Sequence, residues 1–327
     1  SSAASDVYKR QAVSGSANAS YLINGGDNSA DSGLGISNEL MFKASGELDN
    51  GFTWNYHTEL DPNAGGTTDN DDTALVIGMG DMGTVGIFDS EGGLSAELGH
   101  GIGALGTGTD YASTWGATGN TASAWGFDVS SHPNVQYHLP ADLLPYGLTV
   151  KVGYAPNTAD GDSNSFKNAG GANSAGADGN AARQIRVDAA PVDGLSIGAS
   201  YMEFDGAGVN GTKNNQNPES GAYFATYASG PFGIGYSKAF KAPLTADGVG
   251  TTGKVDHYEQ TNYSVAYAAS DDLSISYEVE KDKRHMELDS DAVVEQESTS
   301  VQVAYTMGGM TIAVAPVSYT HLRAHET

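Results

Sequence analysis

Three features of the sequence predict an all-β fold, an antiparallel β-barrel that crosses a membrane. Short stretches of alternating apolar and polar residues recur along the chain, which is typical of strands with one apolar face. A run of about 18 apolar residues, the mark of a transmembrane helix, does not occur. The connections between predicted strands are alternately short and long, so all the long loops would lie at one end of the sheet.

The alternation is clearest in two stretches. Residues 52–60, FTWNYHTEL, place Trp54 and Tyr56 on one face and His57 on the other. Residues 273–280, LSISYEVE, alternate in the same way. The pattern predicts about 15 strands, near residues 13–24, 34–46, 52–61, 73–80, 84–89, 133–140, 148–155, 182–190, 195–204, 220–229, 232–240, 257–269, 273–281, 296–307 and 310–316. Long connections are predicted at 61–72, 89–132, 156–181, 205–219, 241–256 and 282–295.

The composition indicates an interior that holds water. Only 39% of the 327 residues are hydrophobic, below the roughly 45–50% of an ordinary soluble domain. Tyrosine, phenylalanine and β-branched residues are spread along the whole length, which argues against disorder. A barrel with an apolar outer face and a polar lumen accounts for both facts. Because single-chain bacterial barrels have an even number of strands, we expect the 16-stranded type with its final strand missing from the sequence.

One connection stands apart from the others by its length. Counted from the connection between the first two predicted strands, residues 89–132 form the third long loop, after the fifth predicted strand, and no other predicted loop is as long. With its glycine-rich strands, acidic loops and lack of cysteine, the sequence resembles the trimeric diffusion porins of Gram-negative outer membranes, of the α-proteobacterial type, over residues 12–316.

The resemblance implies a fold, a location and a function. The third long loop would fold into the lumen and narrow the pore. The channel would pass small hydrophilic solutes and ions by passive diffusion and would need no cofactor. The protein would form a homotrimer in the outer membrane, in contact with outer-membrane lipid and lipopolysaccharide.

The resemblance also implies a pore constriction between acidic groups on the loop and basic groups on the facing wall. The acidic candidates on the loop are Asp89, Glu91, Glu97, Asp110 and Asp128. The basic candidates, which point inward by alternation, are Lys43, His57, His138, Lys151 and Arg186. Porins of this type usually carry several arginines on the basic wall, whereas this chain has 15 basic and 40 acidic residues in all. We therefore hypothesise that the channel prefers cations.

Two acidic segments suggest weak calcium binding, TTDNDDT at 67–73 and ADGDSN at 159–164. The candidate ligands are Asp69, Asp71, Asp72, Asp160 and Asp162. The second segment begins like a calcium-binding loop but lacks the glycine and the distal glutamate of an EF-hand. A solvated turn is the simpler interpretation, and a structural calcium ion is the alternative.

Other functional classes find little support. The formal charge of -25 disfavours nucleic acid as a partner. GIGALG at 101–106 matches a dinucleotide-binding pattern, but no predicted strand precedes it and no helix follows it, as that pattern requires. The hydrolase motif G-x-S-x-G and the metalloprotease motif H-E-x-x-H are absent, so the chain is not expected to be an enzyme.

The two ends break the strand pattern. Residues 1–11 and 317–327 are expected to be non-native sequence, and the histidine pair in HLRAH at 321–325 is discounted for that reason. Two alternative functions remain open: a substrate-selective outer-membrane channel on the same architecture, and a secreted acidic β-rich binding or surface protein. The secreted protein would stay soluble without detergent.

Overall fold

The computed structural model describes residues 10–22, 33–62, 68–89, 94, 128–129, 132–156, 181–205, 218–242, 255–286, 294–308 and 310–323. Strands dominate these ranges, and two single-turn 3-10 helices lie at Gly80–Met82 and Pro145–Gly147. The strand segments are β1 (Arg10–Leu22), β2 (Gly33–Glu47), β3 (Thr53–Pro62), β4 (Thr68–Gly78), β5 (Thr84–Asp89), β6 (Asn134–His138), β7 (Thr149–Ala155), β8 (Ala182–Val192), β9 (Leu195–Phe204), β10 (Glu219–Ser229), β11 (Phe232–Ala242), β12 (Val255–Ala268), β13 (Leu273–Met286), β14 (Val294–Met307), β15 (Met310–Val314) and β16 (Val317–Arg323).

The strands form one antiparallel meander, as the sequence predicts. Each strand from β1 to β14 pairs with the next one along the chain, in the order of the sequence. Within the described residues, no helix is long and apolar enough to span a bilayer. The all-β antiparallel prediction is therefore confirmed.

The last two strand segments occupy one position in the sheet. β15 pairs with residues 303–307 of β14, and β16 pairs with residues 294–300 of the same strand. Residues 317–323 were expected to lie outside the strand pattern, and this expectation is wrong, because they form a strand at the sheet edge. Their non-native origin stays a prediction.

The described sheet has two edges, one at β1 and one formed by β15 and β16 together. The sixteenth strand position expected from the sequence is not occupied within the described ranges, and it also stays a prediction. Several strands begin or end beyond their predicted limits, and the longest extensions are residues 68–72 of β4 and residues 282–286 of β13. Cross-strand pairing extends these strands into segments whose polar composition predicts loops.

The short connections lie at one end of the sheet, and each needs a tight turn. Gly194, between β8 and β9, has a φ of 77°. A Cβ at this position would lie 2.1 Å from the carbonyl oxygen of Ala228. This turn therefore requires glycine, both for its backbone conformation and for its close contact with the next strand.

The two faces of the sheet have the reverse polarity of a soluble protein. Large apolar side chains are exposed on the outer face, and polar side chains are buried on the inner face. The exposed set includes Ile87, Val135, Val152, Ile185, Tyr223, Ile234, Val265, Tyr277 and Val303. The buried set includes Gln136, Gln184, Ser237, Asn262, Glu280, Ser300 and Gln302. An apolar band outside and polar groups inside are typical of a transmembrane β-barrel.

Candidate pore lining

The strand register assembles a basic patch on the inner face of β6, β7 and β8. His138 lies opposite Lys151, and Lys151 lies opposite Arg186. Arg186 Nε lies 2.8 Å from Asp188 Oδ2, two residues further along β8. His138 Nε2 lies 2.9 Å from Gln136 Oε1. Three of the five predicted wall residues are therefore neighbours, and we call His138, Lys151 and Arg186 the basic patch.

The other two predicted wall residues form a separate pair. Lys43 on β2 lies directly opposite His57 on β3. His57 in turn lies opposite Ala74, which is buried on the inner face of β4. All five wall candidates thus lie on the inner face, in two groups on different parts of the sheet. Their role in the constriction stays a prediction.

An acidic column lies on the inner face of β13. Glu278, Glu280 and Asp282 are at alternate positions, so all three side chains point to the same face. Their exposed fractions are 0%, 0% and 1%. Successive carboxylates are spaced by two strand residues, about 6.8 Å along the strand axis. We call these three residues the acidic column.

The strands beside the acidic column contribute neutral polar partners. Glu280 lies opposite Asn262 on β12 and Ser298 on β14. The amide nitrogens Asn262 Nδ2 and Gln302 Nε2 both donate to the carboxylate of Glu278, at 3.4 Å each. The column was not among the site residues predicted from the sequence, although the alternating stretch 273–280 contains two of its members. The resemblance to porins directed the prediction to the acidic residues of the long loop instead.

Both ends of the long loop pack against the inner wall. Leu94, five residues after β5, and Val129, five residues before β6, are exposed by 1% and 0%. They join a buried apolar cluster whose other members are inward-facing residues of β7, β8 and β9, namely Ala155, Ala182, Met202 and Phe204. The described ends of the loop therefore fold inward, as predicted for the third long loop.

Two further contacts define this anchor, which we call the loop anchor. The backbone N–H of Val129 donates to Gln184 Oε1 on β8 at 2.9 Å. Gly153 on β7 leaves room for the loop: a Cβ there would lie 2.7 Å from Leu94 Cδ1 and 2.9 Å from Val129 Cγ1. A side chain at position 153 would therefore push the loop away from the wall.

The acidic loop candidates are only partly described. Asp89 is the last residue of β5, and Asp128 immediately precedes the buried Val129. Glu91, Glu97 and Asp110 lie outside the described residues. Whether these five carboxylates line the constriction stays a prediction.

The first calcium candidate segment lies in a strand rather than in a loop. Asp69, Asp71 and Asp72 belong to β4, and Asp69 lies opposite Asp61 on β3. The prediction of a turned segment is wrong here, because pairing with β3 holds the backbone extended. A calcium-binding loop wraps its backbone around the ion instead. Asp160 and Asp162 lie outside the described residues, so calcium binding stays a prediction.

This architecture, apolar outside and polar inside with the described ends of a long loop packed against the inner wall, defines a channel-forming barrel of the bacterial outer membrane. The sequence model of the Gram-negative porins matches residues 1–325, and the chain belongs to that family. Its location is the outer membrane of a Gram-negative bacterium, which excludes the secreted alternative. Porins are channels and not enzymes.

Solved porins share this fold at low sequence identity. The anion-selective porin from Comamonas acidovorans has a TM-score of 0.61 and 12% identity, over 95% of this chain and 90% of that one. In-vitro folded OmpT of Vibrio cholerae has a TM-score of 0.59 and 14% identity, over 96% of this chain and 86% of that one. OmpF of Salmonella typhi has a TM-score of 0.52 and 11% identity, over 96% and 97%. No curated protein sequence matches the chain significantly.

Proposed function

We propose that this porin passes small hydrophilic solutes and ions by passive diffusion and that it prefers cations. The observation that carries the proposal is the acidic column, three carboxylates on one inward strand face between neutral neighbours. Charged side chains that line a pore select ions by their sign. The formal charge of -25 adds a negative field around the whole molecule.

The basic patch opposes this preference in another part of the wall. Lys151 and Arg186 attract anions, and the ion pair of Arg186 with Asp188 offsets part of that attraction. Separate acidic and basic surfaces would create a transverse field across the lumen. The porin of Comamonas acidovorans is anion-selective on the same fold, so lining side chains, and not the fold, must determine the preferred ion.

Conductance in a planar lipid bilayer tests this proposal. The chain, refolded in detergent, is expected to produce stepwise currents, and a potassium chloride gradient should give a reversal potential of cation-selective sign. Replacing the acidic column by Glu278→Gln, Glu280→Gln and Asp282→Asn should move that potential toward the anion side. Near a pore wall, a carboxylate about 7 Å from a passing cation attracts it by about 0.6 kcal/mol in water, roughly a threefold change in local concentration.

The matched control removes carboxylates from the outer face of the neighbouring strand. Glu295 and Glu297 on β14 lie opposite Lys283 and Lys281 on β13, outside the lumen. Glu295→Gln with Glu297→Gln should leave the reversal potential unchanged. Anion preference in the unmodified porin would overturn the selectivity, and absence of stepwise currents from a folded protein would overturn the channel.

The assembly state is a further part of the proposal. One solved form of Vibrio cholerae OmpT is described as a trimer, and the fold shared with it supports a homotrimer here. The exposed apolar outer face would then contact neighbouring subunits, outer-membrane lipid and lipopolysaccharide. The mass of the detergent-solubilised protein, measured by light scattering with the detergent subtracted, should equal three chains, and a mass of one chain would contradict it.

A further inference from the structure

The outer face of β12 and β13 changes character toward the long-loop end. On β13 the outward side chains run from Ile275, Tyr277 and Val279 to Lys281 and then Lys283 and His285. The apolar band therefore ends at about residue 279, and the last outward positions lie in a polar rim. Such a rim belongs to the water and headgroup region, because charged side chains are costly in hydrocarbon.

Two histidines meet in this rim. His257 on β12 lies directly opposite His285 on β13. Their rings are stacked, with centroids 4.2 Å apart and planes 9° apart. Glu259, on the same face of β12 as His257, completes a group whose ligand atoms all lie within 4.8 Å of one another. Protonation of both rings at this separation would place two positive charges against each other.

Neighbouring charges hold the three side chains toward a common point. Asp256 Oδ2 lies 2.7 Å from His257 Nδ1, so Nδ1–H donates to the carboxylate and Nε2 keeps its lone pair. Lys238 Nζ lies 3.4 Å from Glu259 Oε1, and the other oxygen, Oε2, lies 3.7 Å from His285 Nε2. His285 Nε2 is buried and has no hydrogen bond within the described residues.

This arrangement resembles the ligand set that proteins use for zinc. Two imidazole nitrogens and one carboxylate oxygen are ordinary zinc ligands, and a fourth position can hold water. A ligating histidine typically donates its second ring N–H to a carboxylate, as His257 does to Asp256. All three ligand side chains are half-buried and accessible, with exposed fractions of 30–33%.

We propose that His257, Glu259 and His285 bind a divalent transition-metal ion, with zinc as the best-matched ion, at the long-loop rim of the outer face. The ion would join β12 to β13 beside the two long connections at 243–254 and 287–293. It would stabilise this end of the β12–β13 pair by cross-linking the two strands. Because the site lies outside the lumen, it would not contribute to ion selection.

Zinc binding to the detergent-refolded chain tests the proposal. Equilibrium dialysis against zinc chloride should give one tightly bound ion per chain, and zinc X-ray absorption should show scattering from two imidazoles. His257→Ala and His285→Ala should each lower the affinity by at least tenfold. Asp256→Asn, which changes only the partner of a ligand, should weaken binding by about 10–100-fold.

The tail histidines supply the matched control. His321 and His325 lie close together in the sequence and outside the proposed site, so they are a competing source of zinc binding. His321→Ala with His325→Ala should leave the tight site intact. Loss of binding in that control with retention in His285→Ala would overturn the proposal, as would no tight binding to the unmodified chain.

Folding is checked in the same samples. Each variant should keep the strand signal of the unmodified chain in circular dichroism without zinc. Zinc should raise the unfolding temperature of the unmodified chain but not of His285→Ala, because an ion that binds only the folded state stabilises it. An equal rise in both proteins would contradict the site.

Discussion

The sector around β6, β7 and β8 and the sector around β12, β13 and β14 use the same alternation for different purposes. In the first, the inner face carries the loop anchor and the basic patch. In the second, the inner face carries the acidic column among neutral amides and hydroxyls. The outer faces of both sectors carry exposed apolar side chains. Lipid therefore constrains only the outward positions, and the inward positions are free to determine how the pore functions.

The largest effect is expected from breaking the loop anchor. Gly153→Val would drive a side chain into Leu94 and Val129. Overpacking of this kind costs about 1–3 kcal/mol, so the free energy of unfolding should fall by that amount. The single-channel conductance should rise, because the loop would leave the wall and obstruct the lumen less. Urea unfolding in detergent and bilayer recordings measure the two effects.

The control for the anchor is a similar enlargement on the outer face. Ala199 on β9 is exposed, and Ala199→Val should change neither the conductance nor the stability appreciably. An unchanged conductance in Gly153→Val, at unchanged stability, would show that the loop is not held at this wall.

A smaller effect is expected from neutralising the basic patch. Lys151→Gln with Arg186→Gln removes two positive charges from the lumen wall while keeping polar side chains. The preference for cations should rise, by about threefold for each charge that lies about 7 Å from the ion path. Reversal potentials in a potassium chloride gradient measure the change. An unchanged reversal potential would mean that the two residues do not face the ion path.

The smallest expected effect is the dependence of ion selectivity on the salt concentration. The Debye length falls from about 10 Å at 0.1 M salt to about 3 Å at 1 M. The difference in reversal potential between the unmodified porin and either charge variant should therefore shrink as both salt concentrations rise at a constant ratio. A difference that persists at 1 M would indicate a change of pore width, which a measurement of conductance with neutral sugars of increasing size would detect.

The sequence was most informative where one physical rule acts alone. Alternation of apolar and polar residues predicts strand faces, so the inward positions of Lys151 and Arg186 follow from it. The alternation of short and long connections predicts the antiparallel meander. Strand limits were less predictable at polar ends. Residues 68–72 and 282–286 have the composition of loops, but pairing with β3 and β12 keeps them extended.

Contacts between distant segments could not be predicted at all. Nothing near Gly153 in the sequence indicates that Leu94 and Val129 pack against it. The pair of His257 and His285 depends on the register between β12 and β13, and a shift of one residue would place the rings on opposite faces. Sites that need a register or a returning loop therefore require the three-dimensional structure.

The most direct test of the contrast between the two sectors compares three proteins in one bilayer experiment. The unmodified porin, the acidic column variant and the basic patch variant are measured in the same potassium chloride gradient. The predicted order of cation preference is highest for the basic patch variant, intermediate for the unmodified porin and lowest for the acidic column variant. Equal reversal potentials in all three, at normal conductance, would contradict the assignment of ion selection to these two sectors.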